Sequence, residues 1–196
     1  MLSYKDSLKI LKRTDALLEG HFILSSGLHS SKYIQCAKLL SFPHQAFKVC
    51  NSLSKKIEKT FPSVDLILSP AIGGIVIGYE IGKLLKVETI FSERVKGKFK
   101  LRRDFSIKKN AKVVIVEDVV TTGKSGLECS KLVKSANAKV LGFACIIDRS
   151  DRKNLLIKKN KIISQIKINI PTYKKKNLPS FLKKKSVTKP GSHYLK

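Results

Sequence analysis

Val113-Val114-Ile115-Val116-Glu117-Asp118-Val119-Val120-Thr121-Thr122-Gly123-Lys124-Ser125 is the stretch that decides how this chain is read. Four apolar β-formers run directly into adjacent carboxylates. Two threonines, a glycine and a serine follow, and then a helix-like segment begins. A continuous apolar run of this kind reads as a parallel strand buried on both faces, and open α/β sheets bind their ligands at the carboxyl ends of such strands. Hydroxyls and backbone N–H groups at a helix start suit a phosphate. The carboxylates suit a sugar diol or a phosphate-bridging metal ion. One short stretch therefore asks for a ligand carrying both a sugar and a phosphate.

Gly123-Lys124-Ser125 also looks like the end of a P-loop. A P-loop needs another glycine at position 118, where this chain has Asp118. A carboxylate there repels phosphate oxygens, and the nucleotide-triphosphatase reading fails.

Outward from this stretch, strands and helices alternate. Leu8, Ile10, Leu11, Leu17 and Leu18 are spaced for a helix over 3–18, with Gly20 as its C-cap. His21 to Leu24 reads as a short strand, Ser25 to Ser31 as a polar turn, and Tyr33-Ile34 as the return of a hairpin. The plain reading of His29 is an exposed turn residue. Pro43 opens a helix through about Lys59, with Phe47, Val49, Cys50, Leu53 and Ile57 facing inward. Asp65–Ser69 is the next strand, and Pro70-Ala71-Ile72-Gly73-Gly74 leads into a helix over 75–85. The glycine pair allows a backbone to approach a ligand, or serves only a tight turn. It lacks the full GxGxxG pattern of a dinucleotide fold.

Thr89-Ile90-Phe91 is a third strand. Ser92 to Asp104 then bunches Arg94, Lys96, Lys98, Lys100, Arg102 and Arg103 in a long polar connection. Such a segment is either a lid over a polyphosphate or a solvated hairpin of alternating charge. After a helix over 124–136, Val140 to Ile147 forms a strand ending in Asp148-Arg149, on the same rim as Asp118 if the strands are parallel. Ile162 to Ile170 is an edge strand. The pattern predicts an α/β fold with a mainly parallel sheet.

The 196 residues hold 42% hydrophobic side chains, enough for a core in one domain. The net charge is +26, and from Asp151 onward fourteen Lys or Arg face a single acid. Because the lysines are scattered rather than gathered on one helix or face, we read them as a solvated surface and expect no nucleic-acid partner. Cys36, Cys50, Cys129 and Cys145 show no CxxC or zinc spacing and are expected to be buried thiols. There is no secretory leader and no apolar run of the roughly 18–20 residues that a membrane span needs, so a soluble cytoplasmic protein is expected.

The acid pair followed by Val-Val-Thr-Thr-Gly resembles the phosphoribosyl-pyrophosphate motif of the type I phosphoribosyltransferases. Other segments resemble the orotate phosphoribosyltransferase family in its short bacterial and archaeal form. These are Gly20–Gly27 with His29-Ser30 and Tyr33-Ile34, Pro70–Ile75 with Gly78-Tyr79-Glu80, Phe91–Phe105, Asp148-Arg149 and Pro190-Gly191-Ser192. The likeness covers residues 3 to about 150 and the extreme C-terminus. It departs at Lys124 and Asp104, where glycine is common, and at His193, where arginine is usual.

The resemblance implies a single domain over 1–196. A small N-terminal hairpin hood (about 3–40, plus a C-terminal segment) would cover a core over about 41–170, with a mobile catalytic loop at 92–104. The implied reaction moves ribose 5-phosphate from phosphoribosyl pyrophosphate to N1 of orotate, releasing pyrophosphate, in pyrimidine biosynthesis. Glu117 and Asp118 would hold the ribose hydroxyls, and Val119, Val120, Thr121, Thr122, Gly123, Lys124 and Ser125 would wrap the 5-phosphate. Gly73 and Gly74 would approach the pyrophosphate, while Arg94, Lys98 and Arg102 neutralise it as it leaves. Asp118, Glu117, Lys98 and Arg94 are the implied catalytic groups. Arg149, Thr121, Ser25 and Tyr33 would contact orotate, the plain alternative for Arg149 being a surface pair with Asp148. Mg2+ would be held mainly through substrate oxygens, with no confident protein ligand. A homodimer sharing loop 92–104 is also implied. A purine or uracil phosphoribosyltransferase, and a nucleic-acid-binding regulator of the same fold, are the rival readings.

Overall fold

In the computed structural model, which describes residues 1–24, 26–151 and 153–190, the elements run as follows. Helix α1 (Tyr4–Arg13) precedes the strand pair β1 (Leu17–Ile23) and β2 (His29–Ile34). A short α2 (Cys36–Leu40) and α3 (Pro43–Thr60) lead to β3 (Leu66–Pro70), α4 (Gly73–Leu85), β4 (Glu88–Val95) and β5 (Lys98–Leu101). Then come β6 (Lys112–Val120), α5 (Lys124–Ser135), β7 (Lys139–Asp148) and β8 (Ile162–Lys167). The C-terminal segment adds β9 (Thr172–Tyr173), a short α6 (Ser180–Lys183) and β10 (Val187–Thr188).

The main sheet has six strands in the order β5-β4-β3-β6-β7-β8. Every pairing in it is parallel except β4 with β5. β6 therefore sits at the centre, as its unbroken apolar run requires. Val113, Val114, Ile115 and Val116 are all 0% exposed. Alternation divides them between two cores: Val114 and Val116 face α3 and α4, while Val113 and Ile115 face α5. Each such burial contributes about 1.5–3 kcal/mol, so this strand alone anchors both layers.

Helix α4 lies unusually close to the sheet because Gly74, Gly78 and Gly82 form a stripe at intervals of four. A Cβ on Gly74 would stand 3.0 Å from the Val116 carbonyl, and Cβ atoms on Gly78 and Gly82 would collide with the Ser69 and Thr89 hydroxyls. The stripe presses the amino end of α4 against the carboxyl end of β6.

The second sheet, the hood, has the order β10-β1-β2-β9. Its core residues Leu17 and Ile34, with Leu11 of α1, join the same cluster as Ile67 and Val114, so the hood is packed onto the main sheet.

Three expectations are corrected here. The first helix ends at Arg13, capped by Thr14, whose hydroxyl donates to the Ile10 carbonyl. Asp15 then turns the chain through the left-handed region, φ 53°, and Leu17 to Gly20 belong to β1. Leu17 and Leu18 satisfy helical spacing as well as strand alternation, and pairing with β2 decides between them. Gly20 is consequently a strand residue and not a cap. Phe47 is 42% exposed, on the outer side of α3. The lysine-rich tail adds two strands to the hood, β9 pairing with β2 and β10 pairing in parallel with β1, while its lysine triplets 174–176 and 183–185 are exposed.

The 92–104 segment is a regular β-hairpin rather than an irregular connection. Lys96 and Gly97, both with positive φ (47° and 78°), make its two-residue turn, the geometry that matches strand twist. Arg103 and Asp104 also lie in the left-handed region, at φ 57° and 58°. The departure from glycine at 104 thus falls where glycine would be least strained, and aspartate is among the few other residues that tolerate it.

Candidate active site

β6 and β7 end side by side, with Val120 opposite Asp148. The Arg149 N–H donates to the Val120 carbonyl at 2.8 Å. The acid pair, the loop that follows it and Arg149 are thereby brought to one rim. The sequence reading placed them there on the condition of parallel strands, and that condition holds.

The acid pair is split by strand alternation. Glu117 points to the α5 side, where the Gly126 N–H donates to its carboxylate. A Cβ on Gly126 would stand 2.9 Å from Glu117 Oε1. That oxygen is buried and has no hydrogen-bond partner among the described residues. Burial, then the neighbouring Asp118 charge, push the Glu117 carboxyl up to about 7. Asp118 points to the α4 side, where a Cβ on Gly73 would meet its Oδ2 at 2.8 Å. Its Oδ1 accepts from the Val119 N–H at 2.9 Å, and burial raises its pKa. Each carboxylate is thus seated on a glycine at the amino end of a helix.

Thr121, Thr122 and Gly123 form the tight connection into α5. Gly123 has φ 71°, and a Cβ there would also strike the Ile157 side chain at 2.6 Å. It is the N-cap of α5 and offers no side-chain cap, so first-turn N–H groups remain available to an anion. Lys124 is exposed beside them, its backbone N–H reaching the Thr122 hydroxyl at 3.3 Å. The amino end of α4 at Gly73 is uncapped in the same way.

Next to this loop lies a cleft of about 530 Å3 whose walls include Thr121, Thr122, Arg149, Ser150 and Asn169. The surface pair between Arg149 and Asp148 does not form. Asp148 accepts instead from the Ser150 N–H at 2.8 Å and lies 3.9 Å from Lys167. The Arg149 Nε is buried without a partner among the described residues, and burial lowers the guanidinium pKa. A desolvated cation without an anion is costly, and a carboxylate in the cleft would relieve it.

The hairpin cations are differently disposed. Arg94 is held at 3.1 Å by Glu128 of α5, donates to the Gly97 carbonyl at 2.6 Å and stacks over Phe99 with its centre 4.1 Å from the ring. Arg102 and Arg103 both pair with Glu93, at 3.6 and 2.8 Å. Lys98 is exposed on β5. In the hood, Tyr33 packs on Phe22 with ring centroids 5.8 Å apart. His29 is not an exposed turn residue: it is buried, and its Nδ1 lies 2.7 Å from His21 Nε2. Ser25 and the Gly191-Ser192-His193 stretch lie outside the described residues.

All four cysteines are buried free thiols. Burial pushes Cys50 and Cys129 up to about 12 and raises Cys36 and Cys145 well above the usual thiol range. None offers a thiolate nucleophile. No group of three or more His, Cys, Asp or Glu side chains converges on a metal position among the described residues. The hard-oxygen pair Glu117 and Asp118, with Oε1 unpartnered, still suits Mg2+ held chiefly by the oxygens of a substrate. No helix among the described residues is long and apolar enough to cross a membrane.

Comparison with known proteins agrees with this geometry. The phosphoribosyl transferase domain model matches residues 42–175. The chain is 43% identical over 189 residues to an orotate phosphoribosyltransferase of Parvibaculum lavamentivorans, covering 96% of each chain. It is 43% identical over 187 residues to an orotate phosphoribosyltransferase of Carboxydothermus hydrogenoformans, covering 95% of this chain and 97% of that one. Its fold resembles the crystal structure of orotate phosphoribosyltransferase from Aeropyrum pernix, with a TM-score of 0.69 at 23% identity, covering 82% and 92% of the two chains.

Proposed function

The chain belongs to the phosphoribosyltransferase family, within it to the orotate phosphoribosyltransferases, and from that membership we propose how its residues divide the work. The reaction transfers ribose 5-phosphate from phosphoribosyl pyrophosphate to orotate, a step of pyrimidine biosynthesis. The bond from ribose C1 to the pyrophosphate oxygen breaks, the bond from C1 to N1 of orotate forms, and pyrophosphate leaves with the electron pair.

C1 becomes cationic along this path while negative charge grows on the leaving group. Catalysis then rests on charge already placed where charge will develop. Glu117 and Asp118 hold the ribose hydroxyls beneath the reacting carbon. The N–H groups at the start of α5, with Thr121, Thr122, Lys124 and Ser125, hold the 5-phosphate. Val119 and Val120 carry the strand into that loop. Gly73 and Gly74 let the pyrophosphate approach the amino end of α4. Arg149 takes the orotate carboxylate, with Thr121 beside it and Tyr33 on the hood side; Ser25 is assigned to the same substrate by the family resemblance alone. Glu117 and Asp118 would stand beside a Mg2+ carried in by the substrate, and the ion, when bound, would supply Lewis-acid stabilisation for the departing pyrophosphate.

Arg94, Lys98 and Arg102 on the hairpin complete the leaving-group site. Closing the hairpin over it keeps water from the activated sugar. For Arg94 and Arg102 this means exchanging Glu128 and Glu93 for phosphate oxygens.

We also propose that 1–196 act as one domain, as a cytoplasmic homodimer with hairpin 92–104 shared between subunits. Ile72, Val76 and Tyr79, on one side of α4, are 85%, 52% and 66% exposed, an apolar stripe suited to a second copy.

The single observation that carries the base assignment is the Arg149 guanidinium, desolvated at the cleft with its Nε unpartnered. The test mixes the protein with orotate, phosphoribosyl pyrophosphate and Mg2+ and follows loss of orotate absorbance. Consumption of a purine base with orotate untouched would overturn the proposal.

A further inference from the structure

Between α5, β7 and the 156–161 segment lies a second cavity of about 560 Å3, a size usual for small-molecule sites. Its apolar lining comes from Leu127, Phe143, Leu156 and Ile157. Lys134, Lys139, Lys158 and Lys161 stand around it, all exposed, and no carboxylate lines it. None of these four ammonium groups has an ion-pair partner among the described residues. Leu156 is 54% exposed, an apolar side chain left facing water. Apolar walls ringed by unneutralised cations call for a ligand with a flat apolar body and a multiply charged anionic group.

The cavity is joined to the 5-phosphate loop by two contacts. The Leu156 N–H donates to the Thr122 carbonyl at 2.8 Å, and Ile157 fills the space over Gly123, where a Cβ would come within 2.6 Å of it. Phe143 also packs on Gly126, whose missing Cβ would stand 3.0 Å from the ring and 2.9 Å from Glu117 Oε1. The wall that a ligand would touch is therefore the wall that seats the catalytic loop.

We propose that this cavity is a regulatory site for an aromatic or heterocyclic monophosphate, and that filling it buttresses Leu156 and Ile157 and so tightens binding of phosphoribosyl pyrophosphate. The coupling rests on assigning 121–125 to the 5-phosphate; the binding does not. By linkage, each ligand must then strengthen the other.

1-Naphthyl phosphate is a suitable probe, titrated calorimetrically into the full chain with Mg2+ and saturating phosphoribosyl pyrophosphate to block the catalytic cleft. The expected result is one site, weakened about tenfold or more in Lys134→Glu/Lys158→Glu, a double variant of exposed residues whose turnover without probe is unchanged. Equal affinity in the variant, or equally tight binding of inorganic phosphate alone, would overturn the site. In the kinetic arm, the probe should lower the KM for phosphoribosyl pyrophosphate about fivefold in the wild type and leave the variant unmoved. An unchanged KM with the binding intact would remove the coupling, and a raised KM would mark competition at the catalytic cleft instead. Loss of orotate turnover with normal probe binding would fault the catalytic assignment and not this one.

Discussion

The carboxylate of Asp118 occupies the space where Gly73 would carry a side chain, its Oδ2 2.8 Å from the position of a Cβ. Two segments 45 residues apart in sequence thus fix one oxygen of the proposed ribose-binding pair. Gly73→Ala should push Asp118 aside while leaving α4 folded. Misplacing a reacting group by an ångström costs about a hundredfold, so kcat/KM for phosphoribosyl pyrophosphate should fall by that order. Overpacking of this kind costs about 1–3 kcal/mol of stability. Steady-state kinetics beside a melting curve separate the two effects, and unaltered kinetics would refute the contact.

Glu117 should cost the fold stability at neutral pH. Its carboxyl rises from 4.5 to about 7 on folding, so the folded state holds the proton more tightly than the unfolded chain. Stability from this group therefore falls as pH rises between those values, and the full cost, of order 3 kcal/mol, is in place above 7. Glu117→Gln should melt several degrees higher than wild type at pH 8 and nearly level with it at pH 4. Losing a charged hydrogen-bond acceptor should lower turnover about ten- to a hundredfold. Calorimetry at the two pH values would refute this if the difference were the same at both.

Arg149→Ala should raise the KM for orotate by two orders of magnitude or so, since a charged hydrogen bond contributes about 1.5–3 kcal/mol. Binding of phosphoribosyl pyrophosphate, measured without orotate, should change little. A variant that turned over orotate normally would show that the carboxylate is held elsewhere.

Glu128→Gln should release Arg94 from its resting partner. The pair is partly exposed, Arg94 at 41%, so its strength is only about 0.2–1 kcal/mol. The expected consequence is a fall of about two- to fivefold in the KM for phosphoribosyl pyrophosphate. Arg94→Ala should raise the same constant. If Glu128→Gln raises it too, Glu128 supports the closed hairpin instead of competing with it.

The central strand and its loop were legible because Val113 to Val116 can satisfy only a strand buried on both faces, and because Asp118 excludes the P-loop. The rim was legible because Asp148-Arg149 closes a strand of the same type. The boundary between α1 and β1 was not, since Leu17 and Leu18 fit both periodicities and only pairing with Tyr33 and Ile34 settles them. The glycine stripe of α4 was passed over because Gly74, Gly78 and Gly82 show their purpose only when a sheet lies beneath them. His29 misled because its partner, His21, lies across a hairpin turn and not beside it in sequence. The tail's pairings were not legible, since its strands are two residues each, shorter than any periodicity can register.

Those two short strands set an order of events. The hairpin of β1 and β2 precedes every strand of the six-stranded sheet in the chain, yet both strands that flank it come from residues 172–173 and 187–188. Its bare edges must wait until those residues are made, while the six-stranded sheet has every strand it needs by Lys167. A nascent chain arrested before Thr172 would hold a finished central sheet and an unfinished hood. The two edges of the hood are thus closed only after the central sheet has all of its strands.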